Sequence, residues 1–335
     1  MKSSLAVGVD LGGTTLTGVA VDRTCAIWAK RSISTNASRG VDAVINDMVS
    51  LVESLSVEDS VGRSELVGVG VGSPGPLSHR TGRIIRSANL PGWVEVPLRE
   101  RLSGALQNPV ILENDGHAAA FGEFRVGAGR DVSHLVMLTL GTGVGAGVII
   151  DGRILHGHFE NAAEVGHWIV EIDGLPCPCG QRGCLEQYTS ADAVVRRVIT
   201  AVQAGEQSAL SDEVAAGRLI AADRVVECAK AGDALCLRIW DEACQALAVA
   251  CINIQHAFNP ALIVLGGGMS LAGDFLLDRV TEHVTRNQWS LHNDLPAIVP
   301  AQLGDEAGAI GAAGLVWQQA DRAQTRGSEN HQGNY

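Results

Sequence analysis

Two periods of apolar residues alternate along this chain. Residues 7–9 run into Asp10-Leu11-Gly12-Gly13-Thr14-Thr15 and out into a second apolar run over 16–21. A turn this short holds no crossover helix, so the pattern predicts a hairpin, unlike the βαβ entry of a dinucleotide fold. Val41, Val44, Ile45, Met48, Val49 and Val52 recur at helical spacing, predicting a helix over 41–55. Residues 66–71 predict a strand that ends in the rigid turn Ser73-Pro74-Gly75-Pro76. A short strand over 110–112 runs into Glu113-Asn114-Asp115, after which Ala118, Ala119, Phe121 and Gly122 predict a helix. Runs at 135–140 and 148–150 flank Gly141-Thr142-Gly143-Val144-Gly145-Ala146-Gly147. The stretch 191–258 is mostly helical in pattern, 261–265 predicts a buried strand before Gly266-Gly267-Gly268, and 306–318 predicts a closing helix rich in small residues. From 321 to 335 the chain is polar and expected to be disordered.

Laying residues 139–151 over 10–22 without gaps makes Leu11/Leu140, Gly12/Gly141, Gly18/Gly147, Val19/Val148 and Asp22/Asp151 identical. Strand, glycine turn, strand thus occurs twice, which points to two similar halves, each offering a backbone-lined turn to one ligand. With 335 residues the chain exceeds a single core. The expected division is a small N-terminal lobe, 1–116, completed by the closing helix 305–320, and a larger lobe, 117–304.

Composition narrows the function. Hydrophobic residues at 46% and charged residues at 19% exclude wholesale disorder. The net charge of −12 argues against a nucleic-acid or membrane-surface partner, though glycine loops bind a compact anion without net positive charge. No apolar run approaches the ~20 residues of a membrane span. Residues 5–9 meet Asp10 too soon for a signal peptide, so the chain reads as cytoplasmic. Glycine, at 40 residues, clusters at turns, where backbone approaches a ligand or takes positive φ.

Three constellations carry chemistry. Backbone N–H groups in the two glycine turns make nests that cradle phosphate oxygens. Asp10, an anion itself, suits contact with Mg²⁺ rather than phosphate. Asp115, beyond a strand end and before a helix, reads as a general base or, with Asn114, as a helix cap. His167 precedes Cys177, Cys179 and Cys184, and four such ligands suit a closed, tetrahedral, structural Zn²⁺. Gly180 and Gly183 permit the tight wrap, and Glu164 and Glu186 bracket the loop. Cys25, Cys228, Cys236, Cys244 and Cys251 are scattered and read as core.

Taken together these motifs resemble the ROK family of sugar kinases and sugar-responsive repressors, from about residue 7 to 317. Asp10-Leu11-Gly12-Gly13-Thr14 resembles the family's first phosphate motif, Gly141-Thr142-Gly143-x-Gly145 its second, and Gly266-Gly267-Gly268 its adenosine-side turn. Asn114-Asp115 resembles its catalytic dipeptide. Glu164-x-x-His167, the cysteines and Glu186 resemble its sugar-and-zinc segment, here 160–190. The resemblance implies an α/β, two-lobed, actin-like and hexokinase-like (ribonuclease H-like) ATPase fold with a zinc knuckle. It implies ATP-dependent phosphorylation of a hexose 6-hydroxyl, with glucose ahead of N-acetylmannosamine or N-acetylglucosamine. Asp115 becomes the base, and Gly75, Asn89, Asn114, Glu164, His167 and Glu186 become sugar contacts, His167 also ligating zinc. Asp10, Gly12, Gly13, Thr14 and Thr15, with the later glycines, become the ATP and Mg²⁺ contacts. A homodimer or higher homo-oligomer is implied. Thr15 stands where many members carry Lys, and Gly116-His117 where glucose-phosphorylating members more often carry Ala-Asn. A family repressor carries an N-terminal helix-turn-helix, for which nine residues before Asp10 leave no room.

Overall fold

A computed structural model describes residues 4–56, 65–87, 90–288 and 295–332, with side chains described as far as residue 324. The chain divides into two units. One comprises Met1–Asp131, Arg153–Ala162 and Leu303–Tyr335; the other comprises Val132–Gly152 and Ala163–Gln302.

In the first unit β1 (Ser4–Leu11) and β2 (Thr15–Val21) form the expected hairpin, closing with Leu11 opposite Leu16. With β3 (Ile27–Ser34), β4 (Glu65–Ser73) and β8 (Val110–Asn114) they make a sheet of order β3-β2-β1-β4-β8, in which β4 runs parallel to both β1 and β8. Period-two alternation splits the β1 side chains between two cores. Leu5, Val7, Val9 and Leu11 pack with Val44, Ile45, Met48, Leu51 and Val52 of α1 (Val41–Ser56). Ala6 packs with Val19, Val21, Ala309, Ile310 and Ala313 on the other face. A three-stranded sheet, β5 (Leu77–Ser78), β6 (Arg83–Arg86) and β7 (Val94–Val96), leads into α2 (Leu98–Leu106). Helix α3 (Asp115–Val126) follows β8 directly.

The second unit repeats the plan. β9 (Leu135–Leu140) and β10 (Val144–Ile150) pair as an antiparallel hairpin, and β12 (Leu262–Gly266) runs parallel to β9 and β13 (Ala297–Pro300). The order β10-β9-β12-β13 matches β2-β1-β4-β8 strand for strand, which is the duplication read from the glycine turns. The chain passes through β11 (Arg153–Ile154) between β10 and the helices α4 (Glu186–Thr189), α5 (Ala191–Gln203), α6 (Ser211–Ala215), α7 (Ala222–Lys230), α8 (Ala234–Phe258) and α9 (Asp274–Asn287). Cys228, Cys236, Cys244 and Cys251 are buried on α7 and α8, and burial pushes the last three thiols up to about 12, the inert state of core cysteines. Among the described residues no helix is long and apolar enough to cross a membrane.

Two expectations change. The first unit extends to Asp131 and takes back 153–162, because α3 packs on the closing helix α10 (Ala307–Gln332) and stays with it. Helix α10 also continues past Asp321, where a disordered tail is expected. Ala320, Ala323 and Gln324 are strong helix formers extending an anchored helix without a new nucleus, and Asp321 pairs with Arg23 at 2.5 Å.

Several glycines serve packing rather than turns. A Cβ on Gly8 or Gly70 would lie 1.9 Å from the carbonyl oxygen of Ala309 or Ala312, and one on Gly311 would lie 1.7 Å from that of Ala118. The closing helix therefore lies backbone-close on β1, β4 and α3. Gly311→Ala is predicted to destabilise the protein by about 1–3 kcal/mol through overpacking, although alanine gains about 1 kcal/mol of helix propensity. Urea unfolding measures the net, and an unchanged or raised midpoint contradicts this packing.

Candidate active site

In the first unit the glycine turn is braced from below. The Gly12 N–H donates to the Thr15 carbonyl at 2.9 Å, and a Cβ on Gly12 would come within 2.8 Å of that oxygen. Thr35, fully buried, donates its N–H to the Thr14 carbonyl at 2.8 Å and its hydroxyl to the Gly12 carbonyl at 2.7 Å. Gly13 is half-buried and Thr14 and Thr15 are exposed on the turn so held. Asp10 lies one residue before the end of β1, opposite Gly72 of β4. A Cβ on Gly72 would sit 3.7 Å from Asp10 Oδ1 and 3.7 Å from the Asp115 Cα, and one on Gly308 would sit 2.8 Å from Asp10 Oδ2. Bare backbone at 72 and 308 thus lets Asp10 approach the start of α3. Desolvation first, then the charges of Asp115 and Asp305, pushes the Asp10 carboxyl up to about 7.

Asn114 ends β8 and caps α3, its Oδ1 accepting the His117 N–H at 3.2 Å. Asp115 is the first helical residue, where the helix dipole favours an anion. Its Oδ1 accepts the Gly116 N–H at 2.8 Å. Desolvation nevertheless dominates and holds the carboxyl above the usual aspartate range, against hydrogen bonds and the nearby His117 that pull it down. Gly75, at φ +92°, packs against the Arg86 carbonyl, which a Cβ would meet at 2.3 Å. Asn89, an expected sugar contact, lies outside the described residues.

In the second unit Gly141 N–H donates to the Gly143 carbonyl at 3.0 Å, and Thr142 is exposed at the tip. Glu186, at the start of α4, brings its carboxylate beneath this turn. Oε2 accepts the Val144 N–H at 3.0 Å and would lie 2.6 Å from a Cβ on Gly143. Gly145 gives room to Thr139 Oγ1, 2.6 Å from its Cβ position. Gly267, at φ +81°, lies against Leu140, whose carbonyl oxygen a Cβ would meet at 2.6 Å. The Gly266-Gly267-Gly268 turn and the Gly141–Gly145 turn are therefore neighbours, with Gly266 buried and Gly268 exposed.

The knuckle folds on short backbone bonds. Cys177 N–H donates to the Gln181 carbonyl at 2.9 Å, Gly180 N–H to the Cys177 carbonyl at 3.0 Å, and Gly183, at φ +76°, leaves no space for a Cβ, which would fall 1.7 Å from the Glu171 carbonyl oxygen. His167, Cys177, Cys179 and Cys184 converge, their ligand atoms all within 4.8 Å of one another. His167 Nδ1 is 3.8 Å from the Cys177 sulfur, and Cys179 and Cys184 sulfurs are 3.6 Å apart. Three thiols and an imidazole with no carboxylate fit a closed soft-metal site. Glu164 caps the turn that carries His167, its carbonyl accepting the His167 N–H at 3.0 Å.

Local sequence pattern marks neither Thr35 nor Asp305. Nor does it mark a second ligating group, His79, Glu113, His117 and His156, drawn from three separate segments, with Glu113 and His117 sharing one.

A duplicated sheet with one glycine turn per copy defines a hexokinase-like α/β protein. The chain matches the ROK family over residues 6–319 and belongs to it. It is 35% identical over 324 residues, 96% of this chain and 98% of the other, to a glucokinase of Halalkalibacterium halodurans. The fold is similar to a ROK hexokinase from Thermus thermophilus (TM-score 0.81, 30% identity, 95% and 99% covered). It is also similar to a ROK family glucokinase from Streptomyces griseus in complex with glucose and AMPPNP (TM-score 0.76, 30% identity, 94% and 100% covered).

The raised Asp10 carboxyl has a stability consequence. The folded state keeps its proton up to about pH 7 whereas the unfolded chain loses it near 3.8, so stability falls as pH rises through that window. Asp10→Asn is predicted to be more stable than wild type by about 4 kcal/mol at pH 8, the difference vanishing toward pH 4. Paired denaturation curves across that range test it; a difference independent of pH contradicts it.

Proposed function

We propose that this chain transfers the γ-phosphoryl group of ATP to the 6-hydroxyl of glucose. The observation that carries the reading is Asp115, a carboxylate fixed at the first turn of α3 and held above its ordinary pKa. The glucokinase relative and the neighbour solved with glucose and AMPPNP, each at 30% identity or more over nearly the whole chain, support the same reaction.

In this reading Asp115 accepts the 6-hydroxyl proton while the oxygen forms its bond to the γ-phosphorus and the bond to the leaving ADP breaks in line. Asn114, capping the same helix, fixes the carboxylate and a sugar hydroxyl. Glu164, His167 and Glu186 accept hydrogen bonds from the remaining hydroxyls. The turns at 12–15 and 141–145 hold phosphate oxygens on backbone N–H groups, and 266–268 lies on the adenosine side. Asp10, whose carboxyl is raised by burial and then by neighbouring acids, fits a Mg²⁺ ligand, and the ion when bound neutralises phosphate charge. The Cys177, Cys179, Cys184 and His167 set fits Zn²⁺, which when bound locks the knuckle and the His167 ring orientation. Because the transition state is loose, most of the rate comes from positioning, with about 10²–10⁴-fold from the base.

Asp115→Asn is therefore predicted to lower kcat by about 10²–10⁴-fold while leaving glucose affinity within a few-fold; unchanged turnover removes Asp115 as the base. In a coupled assay glucose is expected to outrank N-acetylglucosamine and N-acetylmannosamine in kcat/KM. A preference for either acylated sugar overturns the choice of substrate but not the chemistry.

A further inference from the structure

His79, Glu113, His117 and His156, all in the first unit, bring one ligand atom each within 4.8 Å of the others. Their hydrogen bonds fix which atoms point inward. His79 Nδ1 lies 3.1 Å from the Leu112 carbonyl. A carbonyl only accepts, so Nδ1 carries the hydrogen and Nε2 presents a lone pair. That Nε2 is buried with no hydrogen-bond partner, 3.3 Å from Glu113 Oε1. His117 Nε2 lies 3.2 Å from the Ala162 carbonyl, so in the neutral ring its Nδ1 presents a lone pair to Glu113 Oε1 at 3.0 Å. His156 Nε2 lies 2.8 Å from Glu113 Oε2. With both rings neutral, one oxygen of a carboxylate that is 3% exposed thus faces two imidazole lone pairs.

Acceptor against acceptor out of water is unfavourable until a cation lies between them. A single imidazolium neutralises the single charge of Glu113 and still leaves the other lone pair unmatched. A divalent ion satisfies all four atoms at once. Metal–ligand bonds of ~2.0–2.1 Å in a tetrahedron space the ligand atoms about 3.3 Å apart, close to the separations from Glu113. The outer bonds are those of a built metal site, since each of two histidines donates its remote N–H to a backbone carbonyl. The supporting loops are also tied. Arg99 donates to the His79 and Arg80 carbonyls, each at 2.8 Å, and Glu160 accepts from Ser78 Oγ at 2.8 Å and Arg80 N–H at 3.1 Å. Ala162 N–H bonds the His156 carbonyl at 3.0 Å.

We propose that these four residues form a second site for a divalent first-row transition-metal ion, Zn²⁺ by ligand type, which pins the Asn114-Asp115 turn. Glu113 precedes that turn, His117 follows it, and Asn114 caps the His117 N–H. With four protein ligands no position remains for water or substrate, so the ion positions rather than reacts.

The test counts metal in the full chain and needs no turnover, so it stands or falls apart from the kinase reading. After purification with Zn²⁺ and dialysis, mass-spectrometric metal analysis is expected to find two Zn²⁺ per wild-type chain and one in His156→Ala. Titrating metal-free protein with Co²⁺ is expected to give a first ion with thiolate charge-transfer absorption. A second gives only ligand-field bands and binds about 10²-fold or more weakly in His156→Ala. His156 is 37% exposed, so its truncation spares the core, and His79→Ala should repeat the loss. A single Zn²⁺ in wild type, or a His156→Ala protein with unchanged metal content and Co²⁺ spectrum, overturns the proposal.

Discussion

Two carboxylates desolvated side by side set the terms for the first unit. Bare backbone at Gly72 lies against both Asp10 and the start of α3 at Asp115, bare backbone at Gly308 lies against Asp10, and Asp305 adds a third negative charge. Burial raises both carboxyls, and the charges of Asp115 and Asp305 raise Asp10 further, so Asp10 is about half protonated in the free protein near pH 7. Such a pair is poorly suited to stability and well suited to a cation and to proton transfer. The tight seating of α10 on β1, β4 and α3 holds that arrangement against its own repulsion.

The duplicated sheet puts a glycine turn at equivalent places in both units but supports them differently. In the first, Thr35 braces the turn and Asp10 stands at its entry. In the second, Glu186 fills the space beneath Gly143, and Gly267 packs against Leu140. Glu186 follows closely on Cys184, so the knuckle's fold determines where that carboxylate reaches the turn. A soft-metal set and a backbone nest thus belong to one local structure, which explains why three cysteines and a histidine sit so near residues with no metal chemistry of their own.

Features of short range were legible in the sequence. The β1–β2 and β9–β10 hairpins were, because period-two apolar runs around glycine admit few alternatives. The knuckle was, because four soft ligands within eighteen residues rarely coincide. Strands of two to four residues such as β5 to β7 carry no period and were not legible. The packing role of the glycines at 8, 70 and 311 was not legible, because the backbone each lies against is remote in sequence. The same holds for His79, Glu113, His117 and His156. His117 was visible as a departure after Asn114-Asp115, and Glu113 stands beside it in sequence, but His79 and His156 come from a hairpin and a returning loop that only the fold brings together.

In the proposed reading Asp10 is partly protonated near pH 7 and gives that proton up when a cation binds, and counting protons on binding tests this most directly. Calorimetric titration of the protein with Mg²⁺·nucleotide at pH 7, repeated in buffers of different ionisation enthalpy, gives the number released. With the Asp10 carboxyl at about 7, about half a proton is expected to leave per nucleotide bound, and none in Asp10→Asn. Binding without proton release in wild type, or equal release in both proteins, contradicts the account.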